Sequence, residues 1–333
     1  MTRTLLEAVL GAAFAAALFG GAPAQAQEIP AEPEPGTVRM GLQPWLGYGL
    51  WHVAADKEFF AAVGLDEVEL VNFTTDADVN AALASGELDM ANVATHTAMA
   101  IAAAGVPIKV VALLDVSTTA DAIIADDTVA TVADLKGKPV AYEEGTTSDI
   151  LLNYALAQVG MSTADIQRVP MPAADAGAAL IGGRVPVAVT YEPYLSLAML
   201  QDPGVKLLFT AGENPGLISD VLVVREQVLE ERPGQVAALL RAWDQAYAAY
   251  QDNMEEGRAI IAEAVGATPE DLATAFEGVE FYSLADNREQ LTGAYAHEVA
   301  PEVAAAAREA GLLTEDVDFD AMIDGRFVDA ASR

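Results

Sequence analysis

Four carboxylates, Asp115, Asp121, Glu143 and Glu192, lie just before or just after stretches that read as strand ends. Acidic side chains converging on a cleft would favour an amine, guanidinium or ammonium group, because an unpaired buried charge is costly. A second chemistry sits at two helix starts. Thr95 and His96 open one helical stretch, and Gly145-Thr146-Thr147-Ser148-Asp149 opens another. Helix N-termini carry unpaired N–H groups and partial positive charge, so these positions could hold a sulfonate or carboxylate. The same hydroxyls serve equally as plain helix caps. Gln43, Trp45 and Tyr48 follow the first predicted strand, where Trp45 offers a flat apolar wall or a cation–π face. A carboxylate pair can also do glycosidase chemistry, but no other residue pattern supports that. With 50 acidic residues in the chain, any one of them also reads as a solvated surface charge.

Composition removes whole classes of function. The 333 residues contain no cysteine and three histidines. Disulfides, thiolate metal sites, Fe–S clusters and cysteine nucleophiles are therefore out, and a histidine-rich metal site is not expected. Asp and Glu number 50 against 17 Lys and Arg, a net charge of −33. Such a chain repels phosphate backbones and anionic lipid, so nucleic-acid and membrane-surface roles are not expected. No Gly-x-x-x-x-Gly-Lys-Ser/Thr phosphate loop is present. No cofactor is implied.

The elements that must position these residues alternate. Strands are expected at Val38–Leu42, Val68–Val71, Leu88–Val93 and Ile108–Leu114. Between them come helices at 47–62, at 76–84 (capped by Asp76 or Asp78) and at 95–104. This β-α-β-α-β-α-β order argues a parallel sheet with covering helices. A second set follows, with strands near 122–125, 139–141, 166–169, 185–190 and 205–209 and helices at 148–159, 173–181 and 194–200. Ser219–Val224 reads as one more strand. From Glu226 to Ala310 the pattern is mostly alanine-rich amphipathic helix. The two β/α halves share a layout, which fits two lobes with a ligand cleft between them. Lobe one would be discontinuous, 38–118 plus 220–333, and lobe two would be 119–219.

Residues 1–26 read as a cleavable export signal, with Arg3, an apolar run from Ala8 to Phe19 and an Ala24-Gln25-Ala26 cleavage site. That places the mature chain in a periplasm-like space. Residues 27–37 are rich in Pro and Glu and are expected to form an extended, mobile linker.

Four separated segments resemble the periplasmic substrate-binding proteins of the nitrate/sulfonate/taurine class of ABC importers. They are Gln43-Pro44-Trp45 with Gly47-Tyr48-Gly49 and Asp56-Lys57-Glu58-Phe59-Phe60; Gly86-Glu87-Leu88-Asp89-Met90-Ala91; Leu135-Lys136-Gly137-Lys138-Pro139-Val140 with Glu144-Gly145-Thr146-Thr147-Ser148; and Gly183-Arg184-Val185-Pro186-Val187 with Tyr191-Glu192-Pro193. Pro186 stands where that family usually has Asp, and Tyr191 where Trp is common. Leu114-Asp115-Val116-Ser117-Thr118-Thr119-Ala120-Asp121 is similar to a segment of one branch. The resemblance implies an α/β, two-lobe periplasmic-binding-protein fold (type II-like), with parallel or mixed sheets and no catalysis. It implies a monomer that hands a small solute to a membrane permease and its ATPase. Residue types and resemblance together point to a taurine-like amino sulfonate or a small amine or guanidino compound, with an alkanesulfonate or inorganic anion as the alternative. An enzyme like the thiamine-pyrimidine synthases, or a receptor-coupled sensor, is a weaker fit.

Overall fold

A computed structural model describes residues 28–333; the proposed export signal at 1–26 lies outside the described residues. The chain builds two sheets. The first contains β1 (Thr37–Leu42), β2 (Glu67–Asn72), β3 (Met90–Ala94), β4 (Ile108–Ser117), β10 (Ser219–Arg225) and β11 (Val279–Phe281), in the order β11-β4-β10-β3-β1-β2. The second contains β5 (Asp121–Ala125), β6 (Pro139–Tyr142), β7 (Gln167–Pro170), β8 (Val187–Tyr191) and β9 (Lys206–Thr210), in the order β7-β6-β8-β5-β9. Both sheets are mixed. β1 runs parallel to β2 and β3, whereas β10 is antiparallel to β3 and β4. In the second sheet β6 is parallel to β7 and β8, and β5 is antiparallel to β8 and β9.

The chain leaves the first sheet after Ser117 and returns at Ser219. The two crossings lie side by side. The Gly212 N–H bonds the Thr118 carbonyl, and Ser117 N–H donates to Ile218 O at 3.0 Å. Gly278 supports the first crossing from below: a Cβ there would stand 2.6 Å from Thr119 Oγ1 and 2.8 Å from Ala120 N.

The helical tail forms the back of the first lobe. Trp51 and Trp243 are fully buried with ring centroids 4.7 Å apart. Each indole N–H has an acceptor, as a buried polar group requires: Asn92 Oδ1 at 2.8 Å for Trp51 and Tyr282 O at 2.9 Å for Trp243. The 226–310 stretch, read as helical, also holds the short strand β11, which edges the sheet by pairing with β4.

Several local expectations are corrected. The helix expected over 47–62 divides into Gly49–Asp56 and Phe59–Ala62, because Glu58 adopts a left-handed conformation at φ 58°. The helix Asp76–Ser85 is capped by Thr75, whose hydroxyl accepts from Asp78 N–H at 3.3 Å, rather than by Asp76 or Asp78. The Pro/Glu segment, expected to be mobile, is instead fastened to the fold. Glu34 Oε1 and Oε2 accept from the Gly234 and Gln235 N–H groups at the start of the helix Pro233–Asp252, at 3.2 and 3.0 Å. A carboxylate at a helix N-terminus is favourable electrostatically. Gln235, fully buried, donates back to the Glu34 and Gly36 carbonyls at 2.8 and 3.1 Å.

Candidate functional site

A cavity lies between the two sheets and is lined from both. From the first lobe come Gln43, Trp45 and Tyr48, which follow β1, and Ala94 at the end of β3. Asp76 joins them from the first turn of its helix, Ile218 from just before β10 and Asp220 from its start. From the second lobe come Asp121, the first residue of β5, then Glu143, Thr146 and Thr147 after β6, and Tyr191 at the end of β8. This is the usual place for a ligand in α/β sheets, beyond the carboxyl ends of the parallel strands. The antiparallel strands β5 and β10 present their N-terminal ends to the same space. The cavity is small, about 30 Å³.

Aromatic rings bridge the lobes. Trp45 meets Tyr191 edge-on, with centroids 5.9 Å apart and planes at 85°, and Tyr191 meets Tyr194 at 5.5 Å. Trp45 is held by its indole N–H, which donates to Asp115 Oδ1 at 3.1 Å. Asp115 itself is not in the cavity wall. It lies behind the Trp45–Tyr48 loop, against Gly47, where an added Cβ would come within 2.2 Å of its carboxylate. Its other oxygen, Oδ2, is buried and has no hydrogen-bond partner.

The electrostatics are one-sided. Asp115 and Asp220 are direct cross-strand partners, a placement in which like charges repel. Burial pushes both carboxyls up, and for Asp220 the charges of Asp115 and Asp121 push further. Burial raises Asp121 to about 7, with Glu192 and Asp76 adding to the rise and a Ser117 hydrogen bond opposing it. Asp76, half-buried, is raised to about 7 by desolvation and by Glu143. Glu143 is raised by burial, while its bond from the Ala173 N–H at 3.0 Å holds it down. Among the described residues no Lys, Arg or His lines the cavity. Among the described residues no ion pair uses any of these carboxylates.

Of the residues singled out by sequence, Gln43, Trp45, Tyr48, Asp121, Glu143, Thr146 and Thr147 are brought together around the cavity. Four others are elsewhere. Asp115 positions Trp45. Thr95 turns into its own lobe, within hydrogen-bond distance of Ser219 Oγ at 2.9 Å and Tyr295 OH at 3.1 Å. His96 is buried, and desolvation lowers it to about 4 against the pull of the Thr146 backbone, so it is a neutral imidazole at the lobe contact. Both Glu192 oxygens are taken by Ser196, from its N–H at 3.0 Å and its hydroxyl at 2.8 Å. Asp76, Tyr191 and Asp220 were missed as site residues. Tyr191 carried a signal, since it heads the Tyr191-Glu192-Pro193 segment. Asp220 carried none, because it opens a strand whose antiparallel direction is set by distant partners. Among the described residues no group of three or more His, Cys, Asp or Glu is placed to hold a metal ion.

Comparison with known proteins gives consistent results. The family model described as NMT1/THI5 like matches residues 49–256. An Escherichia coli (strain K12) protein named for binding aliphatic sulfonates is 28% identical over 243 residues, covering 72% of this chain and 74% of that one. A Brucella abortus (strain 2308) protein named only as a binding protein is 28% identical over 212 residues, covering 63% and 65%. Among solved structures, the periplasmic aliphatic sulphonate binding protein SsuA from Escherichia coli superposes with a TM-score of 0.73 at 23% identity, covering 89% of this chain and 99% of that one. The periplasmic nitrate-binding protein NrtA from Synechocystis PCC 6803 gives 0.73 at 18% identity, covering 90% and 89%. The shared architecture is the two-lobe periplasmic-binding-protein fold.

Proposed function

The chain belongs to the NMT1/THI5-like family, and we propose that it is the extracytoplasmic solute-binding component of an ABC importer. It captures a small polar organic solute between its lobes and passes it to a membrane permease and its ATPase. It binds the solute without converting it. The observation that carries this reading is the cavity itself, which is lined from both sheets and sits beside two adjacent chain crossings. Paired crossings of this kind suit hinge closure, in which a few loop residues absorb the change. Residues 38–118 with 220–333 would move as one body against 119–219. Residues 1–26 would direct export to the periplasm and be removed, and the mature protein would act as a monomer.

Within this reading the favoured solutes are an amino sulfonate or a small amine or guanidino compound. The carboxylates supply the amine end, and Thr147, which lines the cavity, offers a hydroxyl for an oxygen-rich end, the Thr146 hydroxyl being engaged by the Glu143 carbonyl and the Ser148 N–H. The Thr147 hydroxyl is also what an alkanesulfonate or inorganic anion would use. The test is a thermal-shift panel spanning all these classes, followed by small-angle X-ray scattering with any hit. A solute at ~100 times its Kd should add about 2.7 kcal/mol of apparent stability and shrink the radius of gyration. Stabilisation with no compaction would refute the hinge, and no stabilisation by any class would count against solute capture.

A further inference from the structure

We infer that, of the solutes named above, the cleft selects the compact organic cation bearing N–H donors and rejects the amino sulfonate, the alkanesulfonate and the inorganic anion. This rests on the solute-binding reading above and names the solute class for the same site.

The cavity wall carries the carboxylates of Asp76, Asp121, Glu143 and Asp220 and, among the described residues, no basic side chain. Asp121 and Asp220 are each only 4% exposed, so bulk water does little to screen them. Behind them lies Asp115, fully buried, with Oδ2 unpartnered. A buried acceptor without a donor is costly, more so when charged. An entering anion would meet no basic side chain, whereas a cation with N–H groups supplies the missing counter-charge and donates to the carboxylates of the wall.

Most of the features that favour anions elsewhere are already occupied. At the start of the helix Thr147–Gln158, the Asp149 carboxylate accepts from the Gly145 N–H at 2.9 Å, and Thr146 Oγ1 accepts from the Ser148 N–H at 3.3 Å. The acid therefore neutralises the positive end of that helix from within. The Thr95 hydroxyl is engaged with Ser219 and Tyr295 inside its own lobe.

Size and shape narrow the class further. The cavity, about 30 Å³, suits a compact solute. Trp45 and Tyr191 supply aromatic surface across the lobes, which suits a flat cation. A quaternary ammonium has the charge but no N–H to give the carboxylates.

The experiment is isothermal titration of the purified protein, refolded from urea to remove co-purified solute. The probes are guanidinium chloride, methylguanidine, ethylamine, tetramethylammonium, taurine, ethanesulfonate and nitrate, with sodium chloride as the blank. At least one of the three N–H cations should bind. Asp220→Asn and Asp121→Asn should each weaken that cation at least tenfold, while Glu87→Gln, an exposed acid away from the cleft, leaves it unchanged. Using both Asn variants guards against one failing to fold. Binding of taurine, ethanesulfonate or nitrate with no response to the cations would overturn the inference and leave the solute-binding reading standing. Tetramethylammonium binding as tightly as guanidinium would overturn the requirement for N–H donors. No heat from any cation would overturn the class, and mass spectrometry of solute released from natively purified protein would then judge the broader reading separately.

Discussion

Replacing Asp121 with Asn should stabilise the empty protein while it damages solute capture. Asp121 opens β5, is 4% exposed, and is raised by burial from 3.8 to about 7. Because the folded pKa lies above the unfolded one, the folded state binds this proton more tightly. Its contribution to stability is therefore intact below about pH 4, falls as pH rises from 4 to 7, and stays low above that. Moving this carboxyl from 3.8 to about 7 corresponds to about 4 kcal/mol lost at pH 8. That figure is an upper bound, since neighbouring carboxylates share the repulsion. Asn keeps the shape without the charge and should recover much of the loss, on the order of several degrees in Tm. The assay is urea unfolding of solute-free protein at pH 4, 6 and 8. The variant's advantage should grow with pH. An advantage equal at all three values, or a variant less stable than wild type at pH 8 but not at pH 4, would refute the electrostatic account of this cleft.

Three further outcomes are expected. Cation affinity should fall on acidification, because Asp76 and Asp121, both raised to about 7, take up protons that compete with the ligand. From pH 8 to 5.5 the loss should reach at least about 30-fold by titration calorimetry if one proton is displaced, and a flat profile would mean these groups do not contact the ligand. Gly47→Ala would put a Cβ 2.2 Å from both the Asp115 carboxylate and Trp45 Nε1. It should shift Trp45, cost roughly 1–3 kcal/mol by overpacking and weaken binding; tryptophan fluorescence and calorimetry read both effects. Asn287→Ala should cost about 2–6 kcal/mol in urea unfolding, at ~1–3 kcal/mol for each of the two orphaned groups. Its buried amide accepts from Leu113 N–H at 2.7 Å and donates to Leu113 O at 2.9 Å. A loss under 1 kcal/mol would show that water replaces it.

Much of the fold was legible because its helix ends are local events. Gly86, Gly105 and Gly160 sit at φ 81°, 83° and 71°, conformations that glycine adopts without strain, and each stops a helix where the sequence pattern stops. Strand direction was not legible. β10 lies between β3 and β4 and runs against both, a choice made by partners far away in sequence. The site divides along the same line. Gln43, Trp45 and Tyr48 follow a strand within a distinctive loop and could be found from local pattern. Asp220 stands at the beginning of an antiparallel strand, and its meeting with Asp115 exists only once that strand is paired. The sequence offers Asp76 or Asp78 as the helix cap, and Thr75 takes that role instead.

A chain carrying a net charge of −33 says little about any single acid, but burial separates two populations. Surface carboxylates such as Glu69 pair with a basic partner or face water, as Glu69 does with Arg39 at 3.1 Å. Asp115, Asp121 and Asp220 do neither, and folding desolvates and crowds them with only partial compensation, from the Trp45 N–H at Asp115 and Ser117 at Asp121. Such an arrangement persists only where something outside the chain gains from it, since local conflicts tend to mark functional sites. The destabilisation predicted for Asp121 and the selection of a cation are then one property seen twice. The empty cleft loses stability through charges that the bound solute neutralises, so a ligand that binds well should remove most of the advantage of Asp121→Asn at pH 8. If saturating ligand left that advantage intact, the carboxylates would not be its partners.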